Sequence, residues 1–262
     1  TLVWLLGYVR GRERLVAAVS WTTAAALLVE MVVIVVQAAR GTTSHFNFTT
    51  PLDGAQWVVM GAAIVPVWIM GLVVAWMLVR ERSLEPSFAW SLRLGMLVAV
   101  VGMLLGYLMT GPTAPQMEAL AAREAVATIG GHSVGVPDGG PGLPGVGWST
   151  EGGDHRVAHF VGMHALQVLP LFGWLVVRFG RRFSVAHRTA LVWVAGLVYL
   201  GVTLLLAWQA LRGQPLVAPD ALTLGAAAAL VASALAATAA VVAHGLSRGR
   251  SDAASPRLSA SA

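Results

Sequence analysis

Six long apolar runs, separated by shorter polar or glycine-rich segments, organise this chain of 262 residues. Each run exceeds the roughly 20 residues that an α-helix needs to cross a ~30 Å hydrocarbon core. The strands of a membrane barrel would be shorter and would alternate in polarity. The runs cover residues 15–38, 54–79, 88–110, 157–177, 189–211 and 221–244. The pattern predicts an all-α fold, a polytopic transmembrane bundle of six spanning helices.

Composition supports a protein whose surroundings are the lipid bilayer. Hydrophobic residues make up 57% of the chain, charged residues only 11%, and the mean hydropathy is +0.74. A soluble domain of this length would need far more charge to cover its surface. The chain contains no cysteine, which excludes disulfides, thiolate metal ligands and cysteine nucleophiles.

The arginines predict how the helices are oriented. If the N-terminus is cytoplasmic, the inner side collects most of the basic residues and the outer side few. The inner set is Arg10, Arg12, Arg14, Arg80, Arg82, Arg93, Arg178, Arg181, Arg182, Arg188, Arg248, Arg250 and Arg257. The outer set is Arg40, Arg123, Arg156 and Arg212. This bias predicts that both termini lie inside, and the net charge of +5 then suits an anionic inner leaflet rather than nucleic acid.

The domain organisation follows from the same pattern. We expect one transmembrane domain over residues 1–244 and a disordered cytoplasmic tail over residues 245–262. Residues 1–9 are apolar, and they are either the end of a further helix or a short interfacial segment. A long outer loop, residues 111–156, combines a potential amphipathic helix with a Gly/Pro-rich stretch, and we expect an ordered lid over the outer mouth.

Several residues carry architectural signals. Gly102 and Gly106 have the Gly-x-x-x-Gly spacing that permits close packing of helices. Thr49 or Thr50 is suited to cap the second helix, with Pro51 in its first turn. Pro66 and Pro170 lie within predicted helices, where each removes a backbone donor.

Polar residues cluster where the fourth helix enters the membrane from the outer side. Asp154, His155, His159 and His164 form a series of increasing depth, although polar groups in lipid are costly and usually mark a site. Glu30, in the first helix, reaches a depth comparable to that of His164. We therefore expect these two side chains to pair, and Glu30, His164 and Asp154 are the candidate catalytic residues.

The same histidines suggest a cofactor site, either haem b or a divalent metal. His155 and His159 are four residues apart, a spacing that places two imidazoles on one helical face, and His45 in the first outer loop is a candidate third metal ligand. A haem would use His45 together with His159 or His164. Arg40 either pairs with Asp53 or Asp154 or binds an anionic group such as a propionate.

Three segments together resemble a family of bacterial multi-pass membrane proteins with no assigned activity. The segments read Ser-His-Phe-Asn at residues 44–47, Asp-Gly-Gly-Pro-Gly-Leu-Pro at 138–144 and His-Phe-Val-Gly-Met-His-Ala-Leu-Gln at 159–167. The resemblance covers roughly residues 30–180. It implies a location in the bacterial inner membrane and supplies no activity, cofactor or catalytic residue.

Three functions follow as alternatives. The first is a redox or metal protein, with haem held by histidines of different elements. The second is a metal-dependent hydrolase at the outer leaflet, whose metal-bound water is the nucleophile. The third is non-enzymatic: a transporter, or a subunit of a membrane complex that associates with a partner or with further copies of itself.

Overall fold

The computed structural model describes residue 7 and residues 11–254, with side chains described as far as residue 248. Its helices are α1 (Glu13–Ala39), α2 (Pro51–Arg80), α3 (Pro86–Gly106), α4 (Ala114–Ala121), α5 (His155–Phe179), α6 (Val185–Leu211) and α7 (Ala221–Ala254). A 3₁₀ turn, Tyr107–Met109, extends α3. Two short strands, β1 (Ser133–Val134) and β2 (Gly153–Asp154), pair antiparallel. All the helices except α4 are long and apolar enough to cross a membrane, which confirms the predicted bundle of six spanning helices.

Local sequence signals determine where the helices begin. Thr50 Oγ1 accepts a hydrogen bond from the Asp53 amide and Pro51 opens α2, as predicted. Pro86 similarly follows the cap of α3, where Glu85 accepts from the Phe88 amide. The helix α7 continues past Gly245 to Ala254, further than the sequence pattern predicts. Residues 255–262 and most of residues 1–9 lie outside the described residues, so the disordered tail and the additional N-terminal helix stay predictions.

The six spanning helices form a central group of three with three peripheral members. The most extensive packing joins α3 to α5, and α6 contacts both of them. On one side α2 packs on α3 and α1 packs on α2, while on the other side α7 packs on α6. Two apolar clusters result, one built around Leu78, Leu92 and Met96 and the other around Leu169 and Val192. The central trio therefore provides the rigid frame that carries the polar residues of α5.

Two glycines allow the closest approach in this frame. A Cβ added to Gly102 would lie 2.6 Å from the backbone of Gly162, and one on Gly106 would lie 2.9 Å from the imidazole of His159. The Gly-x-x-x-Gly pair thus packs α3 against α5, which is the role that its spacing predicts.

Candidate functional site

The polar residues of interest lie at the end of the bundle that carries the histidine-rich loops, which we call the histidine side. The opposite end, rich in arginine, is the arginine side. On the histidine side, residues 40–50 and 110–154 form one hydrogen-bonded layer, the cap. The Phe48 amide donates to the Ala127 carbonyl at 2.8 Å, and the Ile129 amide donates to the Phe46 carbonyl at 3.0 Å. The two loops therefore behave as one structural unit.

A partly buried ion pair joins the cap to α5. Asp154 is only 2% exposed, and its carboxylate accepts from the backbone amides of Arg156 at 3.0 Å and Ser149 at 2.9 Å. The Arg156 guanidinium donates to the same carboxylate at 2.6 Å and to the Gly147 carbonyl at 2.6 Å. These contacts give Asp154 a structural role as the cap residue of α5 and the anchor of the loop. Its catalytic role stays a prediction.

A second network joins α1 to the start of α2. The Asp53 carboxylate accepts from Arg40 at 2.7 Å, from the buried Gln37 amide at 3.0 Å and from the Thr50 hydroxyl at 2.6 Å. Of the two carboxylates that sequence analysis offers to Arg40, the structure therefore selects Asp53. Arg40 is partly exposed, so binding of an anion by its remaining surface stays a prediction.

Aromatic rings and two imidazoles pack together inside the cap. Phe46 is buried, with its ring centroid 4.9 Å from that of Trp57 and 4.9 Å from that of His132. His45 packs beside both rings, at centroid distances of 5.3 Å from Trp57 and 6.1 Å from Phe46. Gly130 makes room for Phe46, because a Cβ there would lie 2.6 Å from the ring. The cluster holds His45 against an apolar surface rather than against a group of ligands.

This environment favours neutral imidazoles. Burial lowers the pKa of His45 below its ordinary value. Burial also lowers the pKa of His132, and the nearby Arg156 charge adds to that effect while the Asp138 and Asp154 carboxylates oppose it. Burial raises the pKa of Asp138, but hydrogen bonds from the His132 and Ser133 amides outweigh it and leave the net pKa lowered. Protonation of these two imidazoles at low pH should therefore weaken the packing of the cap.

His159 lies between α3 and α5, one helical turn below the cap. Its Nδ1 is 2.8 Å from the Gly102 carbonyl, and its ring packs on the face that Gly106 leaves open. Because a carbonyl only accepts, Nδ1 carries the proton in this contact and Nε2 keeps a lone pair. His159 therefore has a packing role, and it also has one nitrogen suited to a ligand or metal.

The three predicted metal ligands do not converge. His45 packs on Trp57, His159 packs on α3, and His155 is buried at the first position of α5 with its amide donating to the His132 carbonyl. Within residues 11–248, whose side chains are described, no group of three or more histidine, aspartate or glutamate side chains could hold a metal ion. In that part of the chain, the side chains therefore provide no set of metal ligands for a metal-dependent hydrolase.

His164 lies on the surface of the bundle. It is exposed, and its Nδ1 donates to the Phe160 carbonyl at 2.7 Å, one turn earlier in α5. Exposed residues recur along α5 at helical spacing and form one face, which we call the outward stripe. Its members are Phe160, His164, Gln167, Val168, Leu171 and Trp174. The stripe places two polar side chains on the outside of a membrane-spanning helix.

Glu30 lies elsewhere, on the face of α1 that packs on α2. The buried residues Thr23, Ala26 and Gln37 occupy the same face, and Glu30 itself is half-buried. The described side chains provide Glu30 with neither a hydrogen bond nor an ion pair, and the structure does not bring it together with His164. Thr23 Oγ1 is likewise buried without a partner among them.

Several residues that the sequence did not mark as candidates build part of the site. Phe46, Trp57 and His132 build the packed centre of the cap, and Gln37 completes the Asp53 network. The spacing of Thr50, Pro51 and Asp53 signals a helix cap and so points to Asp53. Nothing in the sequence alone indicates that Phe46 and His132, from different loops, are in contact.

Comparison of the chain with family models, with curated proteins and with solved structures finds no match. The functional assignment therefore depends on the geometry of the chain itself.

Proposed function

We propose that this chain is a non-enzymatic subunit of a membrane assembly, formed by association with a second copy of itself through the outward stripe of α5. One observation carries the proposal: His164 is exposed on the outside of the bundle in a segment that spans the membrane. Polar side chains at membrane depth usually face a bundle interior or a water-filled cavity, because lipid cannot hydrogen-bond them. A protein partner that contacts the stripe would provide groups that can form a hydrogen bond with His164.

The chemistry of the stripe suits contact with an identical stripe. The proton of His164 Nδ1 is directed to Phe160, so Nε2 is an acceptor that points away from the chain's own helices. Gln167 lies three residues further along the same exposed face. Around a two-fold axis, each His164 Nε2 would accept a hydrogen bond from the stripe of the other copy, a self-complementary arrangement typical of dimers. The apolar members, Phe160, Val168 and Leu171, would pack around these bonds.

The polar groups of the cap support a structural rather than catalytic reading. The Asp53 and Asp154 carboxylates are occupied by arginine and by backbone or side-chain donors of the chain itself. Groups that stabilise loops in this way rigidify an exposed surface. A rigid cap suits a subunit that associates through fixed surfaces, and the outward stripe is such a surface.

The test measures association in liposomes. Two populations of the full chain, labelled as donor and acceptor, are co-reconstituted, and energy transfer is followed as the lipid-to-protein ratio increases. We expect the variant H164L to weaken association about tenfold, because interhelical hydrogen bonds in membranes contribute about 1–2 kcal/mol. The matched control is S233L, which replaces an exposed polar residue of α7 with leucine. Absence of energy transfer in the wild type, or equal loss in both variants, would refute the proposal.

A second candidate function, binding of haem b, has its own supporting observation. His159 and His164 each direct Nδ1 to a backbone carbonyl and leave Nε2 with a lone pair, as axial ligands of haem commonly do. A haem between two copies would take His164 from each of them. A Soret band in protein purified with added haem, retained in S233L and lost in H164A, would support it. Protein that shows no Soret band would end this candidate without affecting the first.

A further inference from the structure

The arginine side contains an open groove that the cap and the outward stripe do not involve. It lies where α5 ends and α6 begins, and its volume is about 560 Å³, within the range of small-molecule sites. Five apolar side chains line it, with Gly180 and Arg182 at its polar end. The apolar residues are Leu175, Val176, Phe179, Phe183 and Leu191. Leu175 and Val176 belong to the membrane-spanning part of α5, so the groove extends from the helix ends into the bilayer.

Unpaired positive charge surrounds the polar end of this groove. Arg178 lies over the Phe179 ring at 5.2 Å and Arg182 lies over the Phe183 ring at 5.0 Å, while Arg181 is exposed beside them. In the described part of the chain no carboxylate forms an ion pair with any of these three arginines. The ring contacts leave the guanidinium donors available for an anion, because stacking uses the faces of the group and not its N–H bonds.

A fourth arginine provides a buried donor with no acceptor. Arg188 is bonded to Glu85 at 3.3 Å through Nη2, but its Nε is buried and has no hydrogen-bond partner among the described residues. Its Cδ lies 3.5 Å from the position of a Cβ on Gly180, which lines the groove, and Leu191 is one turn further on the same face of α6. This donor is enclosed by the chain, so Arg188 contributes positive charge behind Gly180 rather than a donor exposed to the groove.

From these features we propose that the groove binds an anionic phospholipid. One acyl chain lies against Leu175, Phe179 and Leu191, and the phosphate lies at the polar end of the groove, beside Arg181 and Arg182. The end of a spanning helix is the level at which headgroups occur, and basic pockets between helices at this level suit anionic headgroups. The apolar lining selects a lipid over free phosphate, and the excess of arginine selects an anionic over a zwitterionic headgroup.

The test is native mass spectrometry of the full chain in detergent, titrated with phosphatidylglycerol or with phosphatidylcholine of the same acyl chains. We expect phosphatidylglycerol to be retained and phosphatidylcholine not. The variant R181Q/R182Q should weaken retention about tenfold to thirtyfold, because each arginine near an anionic headgroup favours binding about threefold to fivefold and the two factors multiply. The control R14Q/R82Q removes the same charge from exposed arginines of the arginine side that lie outside the groove.

A third variant, L191W, fills the apolar part of the groove and leaves every charge in place. It should reduce phosphatidylglycerol retention if the acyl chain occupies the groove. Equal retention of the two lipids, equal loss in R181Q/R182Q and the control, or unchanged retention in L191W would overturn the proposal. Displacement of phosphatidylglycerol by millimolar inorganic phosphate would also overturn it, since a free anion would then be the ligand.

Discussion

Replacing Asp154 with alanine should open the cap, because one carboxylate connects the long loop to α5. In the wild type it accepts from the Ser149 amide, from the Arg156 amide and from the Arg156 guanidinium, which also holds the Gly147 carbonyl. The D154A variant loses every contact of the carboxylate and leaves only the bond between Arg156 and the Gly147 carbonyl. It leaves the Ser149 amide without an acceptor and the Arg156 guanidinium without its counter-ion.

The size of the effect follows from the burial of this pair. Loss of a helix cap costs about 1 kcal/mol, and a buried amide without an acceptor costs about 1–3 kcal/mol. Removing one partner of a buried ion pair costs about 3–5 kcal/mol. These contributions overlap, since they belong to the same carboxylate, so we expect a total near 3–5 kcal/mol. The side chain of Asp154 is 1% exposed and that of Arg156 is 24% exposed, which leaves little solvent to compensate for the loss.

Hydrogen exchange measures this local opening directly. The loop amides of Leu143 and Thr150 are bonded to the Trp148 and Pro141 carbonyls, and they exchange only when the loop opens. We expect D154A to reduce their protection at least about 100-fold in detergent or nanodiscs. The variant D154N keeps a cap acceptor without the charge, so its protection should be intermediate.

Asp220 provides the matched control for this experiment. It also caps a helix on the histidine side and pairs with an arginine, Arg212, but its side chain is 41% exposed. Bonds from Arg212 hold the pKa of Asp220 well below its usual range. The D220A variant should leave the protection of Leu143 and Thr150 unchanged. Protection in D154A within threefold of the wild type, or an equal loss in D220A, would refute the reasoning from burial.

Two further predictions concern helix packing and pH. The variant G102V should lower the unfolding temperature in detergent, since its side chain would meet the Gly162 backbone at 2.6 Å and overpacking costs about 1–3 kcal/mol. The control G61A should be neutral or stabilising, because a Cβ there meets nothing within 4 Å, and equal losses in the two variants would contradict the prediction. Acidification should loosen the cap, because burial lowers the pKa of His45 and His132. The neutral imidazoles therefore stabilise the cap fully at a pH above their ordinary pKa of about 6.5. This stabilisation is lost as the pH falls through their lower pKa values in the folded state. Loop protection measured from about pH 7.5 down to about pH 5 should fall, and H45Q/H132Q should flatten the profile; a profile that H45Q/H132Q leaves unchanged would contradict the assignment.

Sequence reasoning predicted the helices well because each signal is local. Six runs of apolar residues locate the spans, and Thr50 with Pro51 locates the start of α2. The Gly102 and Gly106 spacing also predicted a close contact, although not that Gly162 and His159 would fill it. The arrangement of the candidate site was less predictable. Glu30 and His164 have similar depths, but the face on which each lies depends on which helices are neighbours.

The sequence by itself determined that the chain has six membrane-spanning helices, that the second of them begins after Thr50 and which end of the bundle carries the histidine-rich loops. These features can be predicted because hydrophobic length, helix caps and the arginine bias can be read from single segments of the chain. Only the tertiary structure decided that His159 faces Gly102 while His164 faces outward, and that Asp53 rather than Asp154 binds Arg40. The reason is physical: a residue's depth follows from its position in a helix, whereas its partners follow from the packing of helices and loops far apart in sequence.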